Sequence, residues 1–154
     1  MPQSMEFVRE ALRQGATMQA LLDIDPADLD NLYADACQRF DQGDFIGAKK
    51  LLLILTRLSH WQFDYWLALG LTCQRLGEHD EAVHSFSQTG QLRLDDPRSA
   101  YLAGLSLHAL GQLGVARQAF DAALNWCAAK PEYQELKQQV LHMQSLCPQQ
   151  QERS

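Results

Sequence analysis

Positive charge is scarce in this chain of 154 residues. Its 13 Lys and Arg stand against 19 Asp and Glu, which gives a formal net charge of −6 at pH 7. Proteins that bind nucleic acid usually carry a basic stripe that neutralises phosphates. No such stripe occurs in the sequence. The charge balance therefore argues against a nucleic-acid partner.

Long hydrophobic runs are lacking too. The longest apolar stretch, residues 48–58, is interrupted by Lys49, Lys50 and Arg57, whereas a membrane-spanning helix needs about 20 mostly apolar residues. Residues 1–10 show no basic segment followed by an apolar one, which is the pattern of a secretory signal. We therefore expect a cytoplasmic protein with no stable membrane insertion.

Cysteine pairs at functional spacing are absent. Four cysteines would permit two disulfides, but none of them forms a C-x-x-C pair: Cys37, Cys73, Cys127 and Cys147. Cysteine inside a helical pattern often serves as a small hydrophobic residue. Free thiols are the favoured interpretation, and Cys37 is explained by packing or groove lining without a catalytic partner.

Signatures of catalysis and metal binding are missing as well. His79 and His84 are five residues apart, so a helix does not place them on one face, and both are interpreted as exposed. No zinc-finger spacing, G-x-S-x-G motif or phosphate-binding glycine loop occurs. The sequence predicts a protein that is no enzyme and has no metal and no cofactor.

What the chain does contain is a repeat of 34 residues. Gly43, Gly77 and Gly111 follow one another at this spacing. Three further sets keep it: Ala48, Ala82 and Ala116; Leu52, Phe86 and Phe120; Ala36, Gly70 and Gly104. A period of 34 is that of the tetratricopeptide repeat, a helix–turn–helix unit that buries its apolar face by stacking on neighbours. The predicted fold is an all-α solenoid of three helix pairs.

The repeat register divides the chain into segments. An N-terminal helical arm precedes the repeats, and an amphipathic capping helix and a disordered tail follow them. The predicted bounds are 1–28 for the arm, 29–62, 63–96 and 97–130 for the three repeats (29–130 together), 131–147 for the capping helix and 148–154 for the tail.

Local residue types support this register. Asp25-Pro26 and Asp96-Pro97 each combine a helix N-cap with proline at the first helical position, and Pro131 opens a further helix. The repeated glycines suit turns at positive φ. Repeat three departs from the pattern at its fourth position, where Ala100 stands in place of the large aromatic residue Trp66.

The function is sought on the first helix of each repeat, because these helices line the concave surface of such a stack. Its predicted lining is mostly apolar or aromatic, with charged residues at the rim, and lacks the Lys and Asn that grip a C-terminal carboxylate. It therefore predicts a groove for the apolar side chains of an extended segment. The peptide-binding candidates are Tyr33, Cys37, Phe40, Asp64, Leu67, Leu71, Gln74, Arg75, Arg98, Tyr101, Leu105 and His108.

Several local motifs resemble one family, the class II chaperones of type III secretion systems, and especially its CesD branch. The motifs include residues that a generic repeat protein would not share. They are Gly15-Ala16-Thr17, Asp30-Asn31-Leu32-Tyr33, Gln42-Gly43-Asp44-Phe45, residues 60–66 (HWQFDYW), Leu69-Gly70-Leu71, residues 82–87 (AVHSFS) and Asp95-Asp96-Pro97-Arg98.

The resemblance implies a bacterial cytosolic chaperone that covers a hydrophobic translocator before export and holds a segment of it in the groove. It implies pocket residues at Tyr33, Phe40 and Phe45. It also implies a homodimer through the N-terminal arm, at Phe7, Val8, Leu12 and Leu21. An adaptor joining two folded proteins and a co-regulator of a transcription activator remain as alternatives.

Overall fold

A computed structural model describes residues 24–128 and 130–147 of the chain, and these residues form helices and no strand. Six helices form three pairs, and a 3-10 turn at Pro131–Tyr133 leads into a seventh helix. The helices are α1 (Pro26–Asp41), α2 (Phe45–Leu58), α3 (Phe63–Arg75), α4 (His79–Leu92), α5 (Pro97–Ala109), α6 (Leu113–Cys127) and α7 (Gln134–Ser145). The predicted all-α fold of three tetratricopeptide helix pairs with a closing helix is confirmed.

Two of the first helices begin as predicted. The Asp25 carboxylate accepts the backbone N–H of Ala27 at 3.0 Å, and Asp96 accepts that of Arg98 at 3.0 Å. Proline follows each aspartate at the start of its helix. Proline lacks the N–H that would otherwise be unsatisfied there, so cap and proline fix the helix start together.

The turn inside each pair depends on glycine. Gly43, Gly77 and Gly111 have φ values of +83°, +76° and +78°. Side chains other than glycine rarely adopt this left-handed region. The 34-residue spacing of these glycines therefore predicted the turns correctly.

Small residues let the two helices of a pair approach closely. A methyl group on Gly70 would overlap the ring of Phe86, and one on Gly104 would overlap the ring of Phe120. Both phenylalanines are fully buried. The same contact between a glycine and a phenylalanine ring therefore packs the second and the third helix pair.

The pairs stack in sequence, because the second helix of each pair packs against the first helix of the next and α7 packs against α6. Buried Leu52, Leu55 and Phe86 belong to the core around the first two pairs. Phe120 and Val140 belong to the core around α6 and α7. Within the described part of the chain, no helix is both long and apolar enough to cross a bilayer.

One expectation about local structure is wrong, and those for the arm and the tail are not tested. His79 is not simply exposed: it is half-buried, and its Nδ1 lies 3.2 Å from the Ser106 hydroxyl of α5. The arm residues Phe7, Val8, Leu12 and Leu21, and the tail at 148–154, lie outside the described residues. The predictions made for them stay predictions.

Candidate functional site

The first helices of the three pairs, α1, α3 and α5, lie side by side, and we call their shared surface the inner groove. The rings of Tyr33 on α1 and Tyr65 on α3 are 5.2 Å apart between centroids. The Gln74 side chain on α3 reaches α5, where its amide nitrogen donates to the carbonyl of Leu102 at 2.9 Å. The twelve predicted peptide-binding residues lie on these three helices.

None of those twelve residues is sealed in the interior. Asp64 and Arg75 are exposed, and the other ten are half-buried. Half-buried side chains on a surface keep part of their apolar area in contact with water, and a partner can cover that area with a gain in free energy. The predicted stripe is therefore accessible to a ligand.

Tyr33 is the aromatic centre of the first part of the groove. Burial raises the pKa of its phenol well above the ordinary value, and the neighbouring Cys37 thiol adds to this effect. A tyrosine with a raised pKa stays neutral at physiological pH. Tyr33 therefore offers an apolar ring and a neutral hydroxyl, which suits contact with an apolar segment.

A cavity of about 170 Å³ opens between α1 and α3. Its walls are mostly apolar, and they include Tyr33, Cys37, Phe40, Leu52, Leu71 and Thr72. Pockets for drug-sized molecules measure about 300–1,000 Å³, so this cavity is matched to a single side chain. Of the predicted residues, Tyr33, Cys37, Phe40 and Leu71 are brought together here.

Arg75 stands at the edge of this cavity beside two aromatic rings. Its guanidinium carbon lies 5.7 Å from the ring centroid of Phe40 and 6.0 Å from that of Phe45. The two rings meet edge to face at 5.2 Å. Arg75 is exposed, so a cation held over aromatic faces marks this rim of the groove.

The gap between α3 and α5 is built differently. The Gln74 amide nitrogen donates to the Leu102 carbonyl and to the Ser106 hydroxyl, each at 2.9 Å. His79 approaches the same hydroxyl. Gln74 is therefore engaged by its own chain, and its peptide-binding role stays a prediction.

The remaining candidates are spread along α3 and α5. The Arg98 guanidinium is held by Asp96, with Nη2 to Oδ2 at 2.7 Å and Nε to Oδ1 at 3.0 Å. Leu67 packs on the core of the first two pairs, and Tyr101 and Leu105 pack on that of α6 and α7. His108 lies in the last turn of α5. The structure does not bring these residues into the cavity at Tyr33.

Five residues that line the cavity are not among the predicted peptide-binding residues: Ala36 and Asp41 on α1, Leu52 on α2, and Ala68 and Thr72 on α3. The Thr72 hydroxyl donates to the Ala68 carbonyl at 2.7 Å, and Thr72 is fully buried beneath the exposed lining of the cavity. Helical spacing could have found Ala68 and Thr72, since residues 64, 68, 71, 72 and 75 share one face of a helix.

The groove offers binding surface and little chemistry. No group of three or more His, Cys, Asp or Glu suited to a metal occurs among residues 24–128 and 130–147. All four cysteines are free, and burial raises the pKa of the Cys73 thiol to about 11, which keeps it protonated at neutral pH. The geometry therefore favours recognition of an apolar segment.

Comparison with known proteins gives relatives of one kind. Residues 63–88 match the family model of the tetratricopeptide repeat. Low calcium response locus protein H of Yersinia pseudotuberculosis serotype I (strain IP32953) is 31% identical over 132 residues, which cover 86% of this chain and 79% of that protein.

Solved structures agree with this relative. The type III secretion translocator chaperone SycD of Yersinia enterocolitica superposes with a TM-score of 0.78 at 30% identity, covering 86% of this chain and 98% of that one. A structure of SycD in complex with a peptide of the translocator YopD gives a TM-score of 0.77 at 29% identity, with 80% and 94% covered.

Proposed function

Given that this chain belongs to the family of type III secretion translocator chaperones, we propose that it binds and stabilises hydrophobic translocator proteins in the bacterial cytoplasm before their export. It holds an extended segment of the client in the inner groove. A translocator carries membrane-seeking surfaces, which aggregate or insert early unless they are covered. The protein acts by binding, without catalysis.

The single observation that carries this proposal is the open apolar cavity between α1 and α3. Tyr33, Cys37, Phe40 and Leu71 converge there and keep part of their surface exposed. Burying one large apolar side chain contributes about 1.5–3 kcal/mol. Three or four such anchors, less the cost of ordering the segment, give a dissociation constant of about 1 µM.

The client segment runs along the first helices with one side chain seated beside Tyr33. Asp64 and Arg75 are the exposed charges on α3 that fix its register. SycD in complex with a peptide of YopD is a precedent for peptide binding by a relative. A homodimer through Phe7, Val8, Leu12 and Leu21 of the N-terminal arm belongs to the same proposal.

The test is co-purification of the translocator encoded by the same secretion system. Tyr33→Ala removes the aromatic wall, and Leu71→Asp places a charge in the apolar cavity; both should abolish the complex while helical content stays near that of the parent. Ile54→Asp is the matched control, because Ile54 is 49% exposed on α2 and should leave the complex intact. A retained complex in both groove variants would contradict the proposal.

A further inference from the structure

Trp66 and Ala100 occupy the same position in consecutive repeats, 34 residues apart. The Trp66 Nε1 donates to the His60 carbonyl, in the loop before α3, at 2.9 Å. His84 of α4 meets the indole edge to face, with centroids 6.1 Å apart. Because Ala100 has no ring, the third pair keeps open a position that an indole fills in the second pair.

A cavity of about 250 Å³ lies at this position among α4, α5 and α6. Its apolar walls include Phe86, Leu94, Ala100, Ala103 and Trp126. An apolar cavity of about 150 Å³ holds benzene, so this one accommodates a phenyl ring together with the atoms attached to it. None of the twelve groove candidates lines it. The cavity is therefore separate from the inner groove.

Arg93 is the basic residue in the wall of this cavity. Its guanidinium carbon lies 4.0 Å from the ring centroid of Phe63, and stacking on a ring leaves the guanidinium N–H groups available to an acceptor. Asp96, also in the wall, is held by Arg98, with Nη2 to Oδ2 at 2.7 Å. Asp95 is exposed on the same loop and does not line the cavity. Among the described residues Arg93 takes part in no ion pair, so it can bind an anion.

Ser99 brings a hydroxyl to the same wall. The residue is 5% exposed, and its Oγ is the buried side-chain polar atom without a hydrogen-bond partner in the part of the chain that the structure describes. Such an atom costs free energy. A Cβ on Gly90 would meet no atom of the neighbouring helices within 4 Å except the Ser99 Cβ, at 3.9 Å. Rotation about χ1 therefore turns the hydroxyl into open space, where an acceptor on a ligand would satisfy it.

These groups together suit a ligand that has an apolar body and a carboxylate. The walls enclose the body, while a guanidinium and a hydroxyl can donate to the carboxylate oxygens. A C-terminal residue with an apolar side chain carries both parts. Leu94 is 74% exposed and Trp126 is 42% exposed, so apolar surface continues beyond the cavity. Exposed apolar surface around a cavity is typical of a protein contact, whereas a small free acid would leave it uncovered.

The cavity between α2 and α4 has a different charge. Its walls include Arg57, Asp80 and Glu81. Glu81 pairs with Lys49 at 2.7 Å, but Asp80 takes part in no ion pair among the described residues. A carboxylate ligand would be repelled by these acidic side chains. The features that suit a carboxylate therefore occur at the third pair and not at the second.

We propose that the cavity beside Ala100 binds the C-terminal residue of a protein partner, an apolar residue such as phenylalanine. Its side chain occupies the cavity, and its α-carboxylate accepts hydrogen bonds from the Arg93 guanidinium and the Ser99 hydroxyl. The site lies outside the inner groove, so it does not depend on the function proposed above.

NMR titration of the full chain with a pentapeptide that ends in phenylalanine tests this site. The side-chain N–H signal of Trp126 should shift, because this residue lines the cavity. The same peptide with an amidated C-terminus should bind about tenfold more weakly, since it lacks the charge that faces Arg93. Equal binding of the two peptides, or no binding of either, would overturn the proposal.

A free acid distinguishes a protein partner from a small molecule. Phenylacetate has the same ring and carboxylate but leaves Leu94 uncovered, so it should bind about tenfold more weakly than the peptide. If phenylacetate binds as tightly as the peptide, the assignment to a protein C-terminus is wrong.

Two polar variants locate the carboxylate. Arg93→Gln should weaken the acid peptide about tenfold but leave the amidated peptide unaffected, and Ser99→Ala should weaken the acid peptide about threefold. Arg57→Gln is the matched control, because Arg57 is an exposed arginine beside the other cavity, and it should bind like the parent. General damage to the fold cannot produce a loss that is confined to the acid peptide.

Ala100→Trp tests the cavity itself. The new indole should fill the position that Trp66 fills in the second pair, so both peptides should lose their binding. Circular dichroism checks that the variant is folded, and Arg93→Gln, an exposed substitution, decides the question if it is not. An Arg93→Gln chain that binds the acid peptide like the parent would overturn the proposal, as would undiminished binding by folded Ala100→Trp.

Discussion

The gaps between neighbouring first helices are built on one plan but have different chemistry. Phe40 beside the first gap and Gln74 in the second are 34 residues apart and hold equivalent positions. Phe40 borders a cavity of about 170 Å³ between α1 and α3. Gln74 bridges α3 and α5 by two hydrogen bonds of 2.9 Å. Where the first gap has Phe40 and an open apolar cavity, the second has Gln74 and two hydrogen bonds between helices.

This difference assigns separate tasks to the two gaps. An apolar surface left partly exposed gains free energy when a partner covers it, whereas a satisfied amide gains nothing from a partner and loses its own bonds if it moves. We therefore expect the client to be held most strongly at the first gap. The second gap keeps the second and third pairs in register.

The comparison requires that the second and third pairs have equivalent frameworks, and the largest predicted effect tests this. Gly70→Ala and Gly104→Ala each force a methyl group against a fully buried phenylalanine ring. Overpacking of this kind costs about 1–3 kcal/mol. Urea denaturation should show losses of about 2 kcal/mol in both variants. A large loss in one variant alone would mean that the two pairs are not packed alike.

The next largest effects distinguish a residue that binds the client from one that stabilises the fold. Phe40→Ala should weaken binding of a translocator peptide about tenfold, since one half-buried ring contributes roughly 1.4 kcal/mol. Gln74→Leu should leave the affinity within about twofold of the parent but lower the free energy of unfolding by about 1 kcal/mol. Isothermal titration and urea denaturation measure the two quantities. The reverse pattern would assign the binding site to the second gap.

Sequence spacing was sufficient for the framework of the fold. The 34-residue period located Gly43, Gly77 and Gly111 at turns with positive φ, and it repeated Gly70 and Phe86 as Gly104 and Phe120 in the next pair. These features follow from backbone conformation and from the presence or absence of a Cβ. Residue type and register determine both, so the repeat pattern alone predicts them.

The 34-residue spacing could not predict which hydrogen-bond partners the side chains have. Gln74 and Arg98 fall at groove positions in the repeat register, yet Gln74 bonds to α5 and Arg98 pairs with Asp96. Whether a long polar side chain turns outward or to a neighbour depends on the atoms around it. A period places the Cα atom and leaves the rotamer open, which is why the twelve groove candidates could be located but not ranked.

Acid should weaken the start of α5, because this helix begins at Asp96, which caps it and pairs with Arg98. Burial alone would raise the pKa of the Asp96 carboxyl, but hydrogen bonds from the Arg98 guanidinium and backbone N–H outweigh it and hold the pKa below its ordinary value. A carboxylate with a lowered folded-state pKa stabilises the fold above its unfolded pKa of about 3.9. That contribution disappears as the pH falls through the folded-state pKa.

Asp96→Asn keeps an oxygen for the cap but removes the charge that faces the Arg98 guanidinium and the helix N-terminus, so it should cost about 1 kcal/mol at pH 7. Below about pH 4 the difference from the parent should shrink, because Asp96 then becomes protonated in the unfolded state, and it should vanish once the pH falls below the lowered folded-state pKa. Thermal unfolding followed by circular dichroism at several pH values measures this. A difference that is independent of pH would show that the charge on Asp96 contributes nothing.

The smallest predicted effect is a gain in stability. It comes from a Gly→Ala substitution, as in the first test, but at Gly90. Gly90 lies inside α4, and a Cβ there would meet no atom closer than the Ser99 Cβ at 3.9 Å. Glycine in a helix interior is less favourable than alanine by about 0.5–1 kcal/mol. Gly90→Ala should therefore raise the free energy of unfolding by that amount, whereas Gly70→Ala lowers it. Since both glycines are helical, a loss at Gly90 would mean that the space between Gly90 and Ser99 is closed in solution.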